Sequence, residues 1–282
     1  MIRTLILIPL LALAGCAFQV SERTLLHPTA AGPLPAEALA RAAPAYTQSE
    51  HVITAPDGVR LSAVLLRQPD AQGTILYFGG NGFTIGQFGT YVAEVFAPLG
   101  VDVLIVDHRG YGRSEGIPTQ DSLEADGVVA FDYLSGTIGV APSRIVVHGQ
   151  SLGSFIAGHV AAERPAAGVV LESSATTSED WVDANLRGLR RVFVRPRIDP
   201  ALRGRGNLPN MARIAEPLLL LVGGADRTTP PILSQRLYAA SPLPPDRKTL
   251  LIAPGANHVN TLRQASAIAA YRAFLGRVLA SD

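Results

Sequence analysis

Six short runs rich in apolar residues alternate with helical segments, and this alternation limits the fold more than anything else in the chain. The runs are Thr74–Phe78, Val101–Val106, Arg144–His148, Gly168–Glu172, Pro217–Val222 and Lys248–Ala253. Between and after them the pattern turns helical near Gln87–Leu99, Thr119–Ser135, Leu152–Glu163, Pro231–Ala240 and Gln264–Leu279. Strands that are apolar along their whole length must be covered on both faces, and helical crossovers between them make neighbouring strands parallel. The expectation is an α/β fold with a mostly parallel central sheet and helices on both faces. Upstream, "HVITAP" and "VRLSAVLLRQP" flank Asp57-Gly58 and read as a β-hairpin that adds antiparallel strands at one edge. The interval from Ser173 to Glu216 holds more than one crossover helix needs, so a lid is expected at about 173–216.

The 282 residues suffice for one large α/β domain or two small ones, and no internal repeat divides them. With 24 basic and 23 acidic residues the chain lacks the basic footprint of a nucleic-acid binder. At the N-terminus, Arg3 precedes an apolar run from Leu5 to Ala14 that is too short to span a bilayer and reads as a signal peptide. Leu13-Ala14-Gly15-Cys16 resembles the bacterial lipobox, which implies acylation of Cys16 and attachment to a membrane of the bacterial cell envelope. Ala17 suits delivery to the outer membrane if the organism has one. The alternative is an ordinary signal peptide with an incidental cysteine. Cys16 is the only cysteine, so no disulfide or thiolate metal site is expected. Residues 1–15 are therefore read as a lipoprotein signal peptide and 16–50, rich in Ala and Pro, as a tether with a short helix from Ala36 to Arg41. Residues 51–282 are read as the folded domain.

The stretch "RIVVHGQSLGSFIAG" places Ser151 between a strand and a helix, inside G-x-S-x-G. A serine on so sharp a turn is exposed, while the following N–H, that of Leu152, and the helix N-terminus face a developing oxyanion. By itself the pentapeptide is a weak signal, because glycine and serine often fall together in turns. A nucleophilic serine needs a histidine and an orienting acid, which in this arrangement follow it on turns after later strands. "PLLLLVGGADRTTP" supplies Asp226 and "KTLLIAPGANHVN" supplies His258. Glu172 is the rival acid, and the alternative for Asp226 is a helix N-cap or turn aspartate. His148 reads as packing; His27, His51, His108 and His159 lack the post-strand position. The loop "YFGGNGFTIG" is the expected source of a second oxyanion donor, the N–H of Asn81, unless it is merely a glycine-rich turn. "VDHRGYGRSEG" reads as a structural turn stitched by Asp107 and Arg109.

Taken together, Asn81 in its glycine loop, "DHRGYGRSEG", "GQSLG", "GGADRTTP" and "GANH" resemble an α/β-hydrolase of the Bem46-like and serine-aminopeptidase-S33-like branch. The resemblance runs from about His51 to the C-terminus. It implies the α/β-hydrolase fold, Ser151, Asp226 and His258 as a catalytic triad, the Asn81 and Leu152 N–H groups as an oxyanion hole, and no metal or organic cofactor. Gly79 departs from the pattern, since relatives usually carry histidine before the Gly-Asn pair.

The implied activity is hydrolysis of a carboxylic ester or thioester on a small acyl substrate, through an acyl-enzyme. Two alternatives stay open: an aminopeptidase-like enzyme acting on small peptides, with Glu172 or Glu179 gripping the amine, and a non-catalytic surface binding module. In the lid segment Arg187, Arg190, Arg191 and Arg195 are close enough to share a helix surface, either as a basic rim or as a solvated face. Trp181 is read as lining an acyl pocket or packing the lid.

Overall fold

The computed structural model describes residues 17–30, 32, 34–186 and 195–280. Its strands are β1 (Ala17–Val20), β2 (Thr47–Thr54), β3 (Arg60–Arg67), β4 (Thr74–Phe78), β5 (Asp102–Val106), β6 (Ile145–Gln150), β7 (Gly168–Glu172), β8 (Arg195–Ile198), β9 (Leu218–Gly223) and β10 (Lys248–Ala253). The helices are α1 (Glu22–Leu25), α2 (Ala36–Ala42), α3 (Ile85–Phe96), α4 (Gln120–Asp132), α5 (Leu152–Glu163), α6 (Ser178–Asn185), α7 (Pro231–Ala240) and α8 (Ala265–Val278). Eight strands form one sheet in the order β10-β9-β7-β6-β4-β5-β3-β2. It is parallel from β10 to β5, and the hairpin β2–β3 completes it antiparallel.

Successive side chains of a strand point to opposite faces, and the two cores follow that rule. Leu76 and Phe78 of β4 pack with Leu123, Phe131, Ile156 and Val160 from α4 and α5. Ile75 and Tyr77 pack on the other side with Leu39, Ile85, Val92, Phe96, Tyr271 and Phe274 from α2, α3 and α8. Register then fixes where chemistry can occur. Phe78 lies opposite Gly149, Gln150 opposite Glu172, and Ala253 opposite Gly223, so the loops after β4, β6, β7, β9 and β10 open along one edge. In open α/β sheets that carboxyl edge is where ligands bind.

Two helices differ from the sequence expectation for local reasons. α3 begins at Ile85 rather than Gln87 because Thr84 caps it, its hydroxyl accepting from the Gln87 N–H at 3.3 Å. α4 ends at Asp132 and passes into a π-turn over Tyr133–Thr137, where Ser135-Gly136 offers poor helix formers.

The larger correction concerns the expected tether. Within residues 16–50, the described part is not a free linker. Leu26, only 3% exposed, sits in the core beneath α4 and α5, while Leu39, Ala43 and Tyr46 join the core on the α3 side. The Tyr46 hydroxyl donates to the Val101 carbonyl at 2.7 Å. β1 pairs in parallel with β8, joining the N-terminal stretch to the segment between β7 and β9. The apolar residues are spaced too widely to register as a periodic pattern, yet each finds a slot on the sheet's helical layers. The short helix expected at Ala36–Arg41 is present as α2. Cys16 and the apolar run before it lie outside the described residues, as do Arg187, Arg190 and Arg191. No helix of the described residues is long and apolar enough to cross a membrane.

Candidate active site

β6 runs into α5 through a single strained residue. Ser151 has φ 53° and ψ −115°, a backbone state that side-chain-bearing residues rarely adopt. The glycines on either side exist for want of space. A Cβ at Gly149 would meet the Gly153 carbonyl oxygen at 2.0 Å, and one at Gly153 would meet the Phe78 carbonyl oxygen at 2.1 Å. The turn is pinned as well: the Ser151 N–H donates to the Glu172 carbonyl at 2.9 Å, and the Ser154 N–H to the Ser151 carbonyl at 2.9 Å.

The two later strand ends converge on this serine. His258 Nε2 lies 3.0 Å from Ser151 Oγ, and His258 Nδ1 lies 2.9 Å from Asp226 Oδ2. Asp226 is buried and its carboxylate is saturated. Oδ1 accepts from the N–H groups of Thr228 at 2.8 Å and Thr229 at 2.9 Å, while Oδ2 also accepts from the Thr229 hydroxyl at 2.8 Å. Burial pushes the carboxyl's pKa up, but the hydrogen bond and charge of His258 and the donors of Thr229 outweigh it, leaving Asp226 below its ordinary value. An ionised carboxylate can only accept, so Nδ1 carries the imidazole proton and Nε2 is left to accept from the serine hydroxyl. The Thr229 hydroxyl, 3.1 Å from Nδ1, and Gln150 Nε2, which donates to the His258 carbonyl at 3.1 Å, hold the ring and its backbone.

The other candidates are placed elsewhere. Glu172 is buried against His148, whose Nε2 is 3.3 Å from Oε2 and whose Nδ1 is 3.0 Å from the Tyr271 hydroxyl. Asp107 ties its own turn, accepting from the N–H groups of Ile85 at 2.7 Å and Arg113 at 3.1 Å. Arg109 forms a bidentate bridge to Asp126 with both contacts at 2.8 Å and also reaches Asp57. His51 bonds Ser49 and Tyr133, and His159 lies 3.7 Å from Glu124. Glu179 accepts from the Gly204 N–H within the segment between β7 and β9. Among the described residues no group of three or more His, Cys, Asp or Glu side chains is placed to hold a metal ion.

Asn81 and Leu152 both border the cavity in which Ser151 sits. Leu152 is the first residue of α5, so its N–H has no intrahelical acceptor, and the Asn81 N–H donates to none of the described residues. The Gly79 departure has a physical account. A Cβ there would fall 2.0 Å from Phe83 Cγ, so Phe83 fills the space a side chain at 79 would need. The loop is held instead by His108, whose Nε2 bonds the Gly79 carbonyl at 2.8 Å.

The cavity measures about 280 Å³, with Leu25, Leu152, Phe155, Ala175 and Trp181 as its apolar wall. A second cavity of about 510 Å³ shares Gly80, Asn81 and Gln150 with the first and is lined by Tyr77, Tyr91, Glu172 and Arg263 among others. Sequence reasoning missed Leu25, Phe83, Gln150 and Thr229. For Thr229 a signal existed: Asp226 followed three residues later by threonine is the spacing of an Asp-led turn.

Comparison with known proteins agrees with this architecture. Residues 69–207 match the family described as serine aminopeptidase, S33. An uncharacterized protein of Mycobacterium tuberculosis (strain H37Rv) is 31% identical over 251 residues, covering 84% of this chain and 80% of its own. The α/β hydrolase domain-containing protein WAV2 of Arabidopsis thaliana is 30% identical over 217 residues, covering 73% and 70%. Among solved structures, the Pyrococcus furiosus esterase Pf2001 superposes with a TM-score of 0.72 at 20% identity, over 90% of this chain and 100% of that one. With this sheet order, this strand-to-helix turn and a relative at this identity, the chain belongs to the α/β-hydrolase superfamily.

Proposed function

We propose that this protein is a serine hydrolase that cleaves carboxylic ester or thioester bonds through an acyl-enzyme. The observation that carries the reading is the unbroken line from Asp226 through His258 to Ser151, ending on a strained turn inside a mostly apolar cavity. Ser151 Oγ attacks the carbonyl carbon as His258 Nε2 takes the hydroxyl proton. The oxyanion rests on the N–H groups of Leu152 and Asn81, with the positive end of α5 behind it. His258 returns the proton to the departing alcohol or thiol, and water then repeats the sequence on the acyl-enzyme, releasing the acid and restoring the serine. No step calls for a metal or an organic cofactor.

The apolar wall of Leu25, Phe155 and Trp181 suits an acyl chain, which favours esters and thioesters over peptides. Attachment to an envelope membrane through acylated Cys16 belongs to the same proposal, and radiolabelled-palmitate incorporation in wild type but not in Cys16→Ser tests it. The catalytic reading is tested on residues 17–282 with a fluorophosphonate probe. Labelling of the wild type and not of a folded Ser151→Ala supports it. Equal labelling of both, or none of a folded wild type, refutes it.

A further inference from the structure

We propose that residues 24–30 are a positioning element of the active site, a strap that clamps the Asn81 carboxamide and so holds the Asn81 N–H where the oxyanion forms. The proposal rests on the reading of Asn81 as an oxyanion donor. The loop that carries it contains Gly79, Gly80 and Gly82, a composition that lets main chain approach a ligand but leaves it conformationally free. A donor is useful only when fixed to within about 0.5 Å, so such a loop must be fixed from outside.

Two grips do this. His108 holds the main chain at the Gly79 carbonyl. The strap holds the side chain at Asn81: Nδ2 donates to the Leu25 carbonyl at 2.6 Å, and Oδ1 accepts from the His27 N–H at 2.9 Å and from the Tyr111 hydroxyl at 2.8 Å. Asn81 is an exposed residue, and an exposed carboxamide ordinarily spends its hydrogen bonds on water. Here both ends are committed to protein, and the N–H of the same residue is left over.

The strap is itself anchored independently of Asn81. Leu26 is sunk in the core, the Thr29 carbonyl accepts from the Gly112 N–H at 2.8 Å, and Glu22 just before the strap accepts from the Gln120 N–H at 2.7 Å. Tyr111, fully buried, ties the two grips together. Its hydroxyl also accepts from the His27 N–H at 3.0 Å, and its ring meets that of His108 edge-on at 5.7 Å. Leu25, adjacent to the clamp, forms part of the cavity wall, so the same segment shapes the pocket and steadies the donor.

The experiment measures kcat and KM for p-nitrophenyl butyrate on residues 17–282 and five variants, with circular dichroism and a thermal melt for each. Asn81→Asp keeps the shape but cannot donate to Leu25. His27→Pro removes one N–H, and Leu26 before it already has the extended φ −85°, ψ 129° that a following proline requires. Tyr111→Phe removes the hydroxyl alone. The double variant His27→Pro/Asn81→Ala is compared with Asn81→Ala.

A misplaced donor weakens the transition state rather than ground-state binding. In Asn81→Asp kcat is expected to fall roughly ten- to hundredfold, against roughly a hundred- to thousandfold for outright loss of such a donor, with KM changed less than about threefold. His27→Pro and Tyr111→Phe fall less, and His27→Pro adds nothing once Asn81 is alanine. Variants that melt earlier but keep kcat, or a double variant whose losses simply multiply, would reduce the strap to packing and overturn the proposal; Tyr111→Phe, the mildest change, decides if another variant fails to fold. A wild type that labels and turns over while its variants match it overturns the strap alone. One that neither labels nor turns over overturns the donor reading and the strap with it.

Discussion

The turn at Ser151 and the strap at residues 24–30 both serve the same cavity, yet they are built in opposite ways. The turn is local: β6, one strained serine and α5 follow one another, and its glycines answer to atoms only a few residues away or on the adjacent β4. The strap is remote, touching Asn81, Tyr111 and Gly112 through main-chain groups that any sequence would supply. Geometry imposed by sterics leaves a mark in residue types. Geometry imposed by backbone hydrogen bonds leaves almost none.

The contrast predicts where substitutions hurt. Gly153→Ala has the largest expected effect, because the clashing atom is the Phe78 carbonyl and neither strand nor turn can yield; a loss above about 4 kcal/mol in a denaturant melt is expected. A variant as stable as wild type would mean that the turn is softer than its contacts imply. Next comes Leu26→Ala, expected to cost roughly 2–5 kcal/mol as a large-to-small core change. No change in stability would restore residues 16–50 to the status of a free tether.

A smaller, pH-dependent effect comes from His108, which sits where the two regions meet. Burial lowers its pKa below the ordinary 6.5, against the opposing pull of its bond to Gly79 and of Asp126. The unfolded chain therefore takes up a proton that the folded chain refuses. Stability is fully present above 6.5 and declines as pH falls below it, by at most about 1.4 kcal/mol per pH unit for this one group. Melting temperature followed from pH 8 to 5 should fall less steeply in His108→Gln; parallel curves would exclude His108 as a source of the slope. Smallest is Trp181→Ala, which opens part of the cavity's apolar wall. Activity on short esters should change less than about tenfold, with a relative gain on bulkier acyl groups, read from a chain-length series.

Much of the sheet could be read directly from the chain. Thr74–Phe78, Gly168–Glu172 and Lys248–Ala253 form strands with the bounds their apolar runs suggest, and Leu152–Glu163 and Pro231–Ala240 form helices. The placement of Asp226 and His258 after the last two strands brings both to Ser151, because parallel strands of similar length end at one edge. Thr229, Gln150 and Phe83 escaped notice because their roles depend on distances across loops. Leu25, Leu26 and Tyr46 escaped because isolated apolar residues in an Ala- and Pro-rich stretch carry no period.

The pairing of β1 with β8 bears on the order in which the molecule assembles. Ala17 leaves the ribosome early, while its partner Arg195 belongs to the last third of the chain. A contact of such long sequence separation is costly to close and tends to form late. Until β8 has been synthesised, β1 presents an unpaired strand edge, and the two-stranded sheet cannot form. Completion of the segment between β7 and β9 is thus a checkpoint that β1 must wait for, and a chain truncated before residue 195 would expose an edge ready to pair with another molecule.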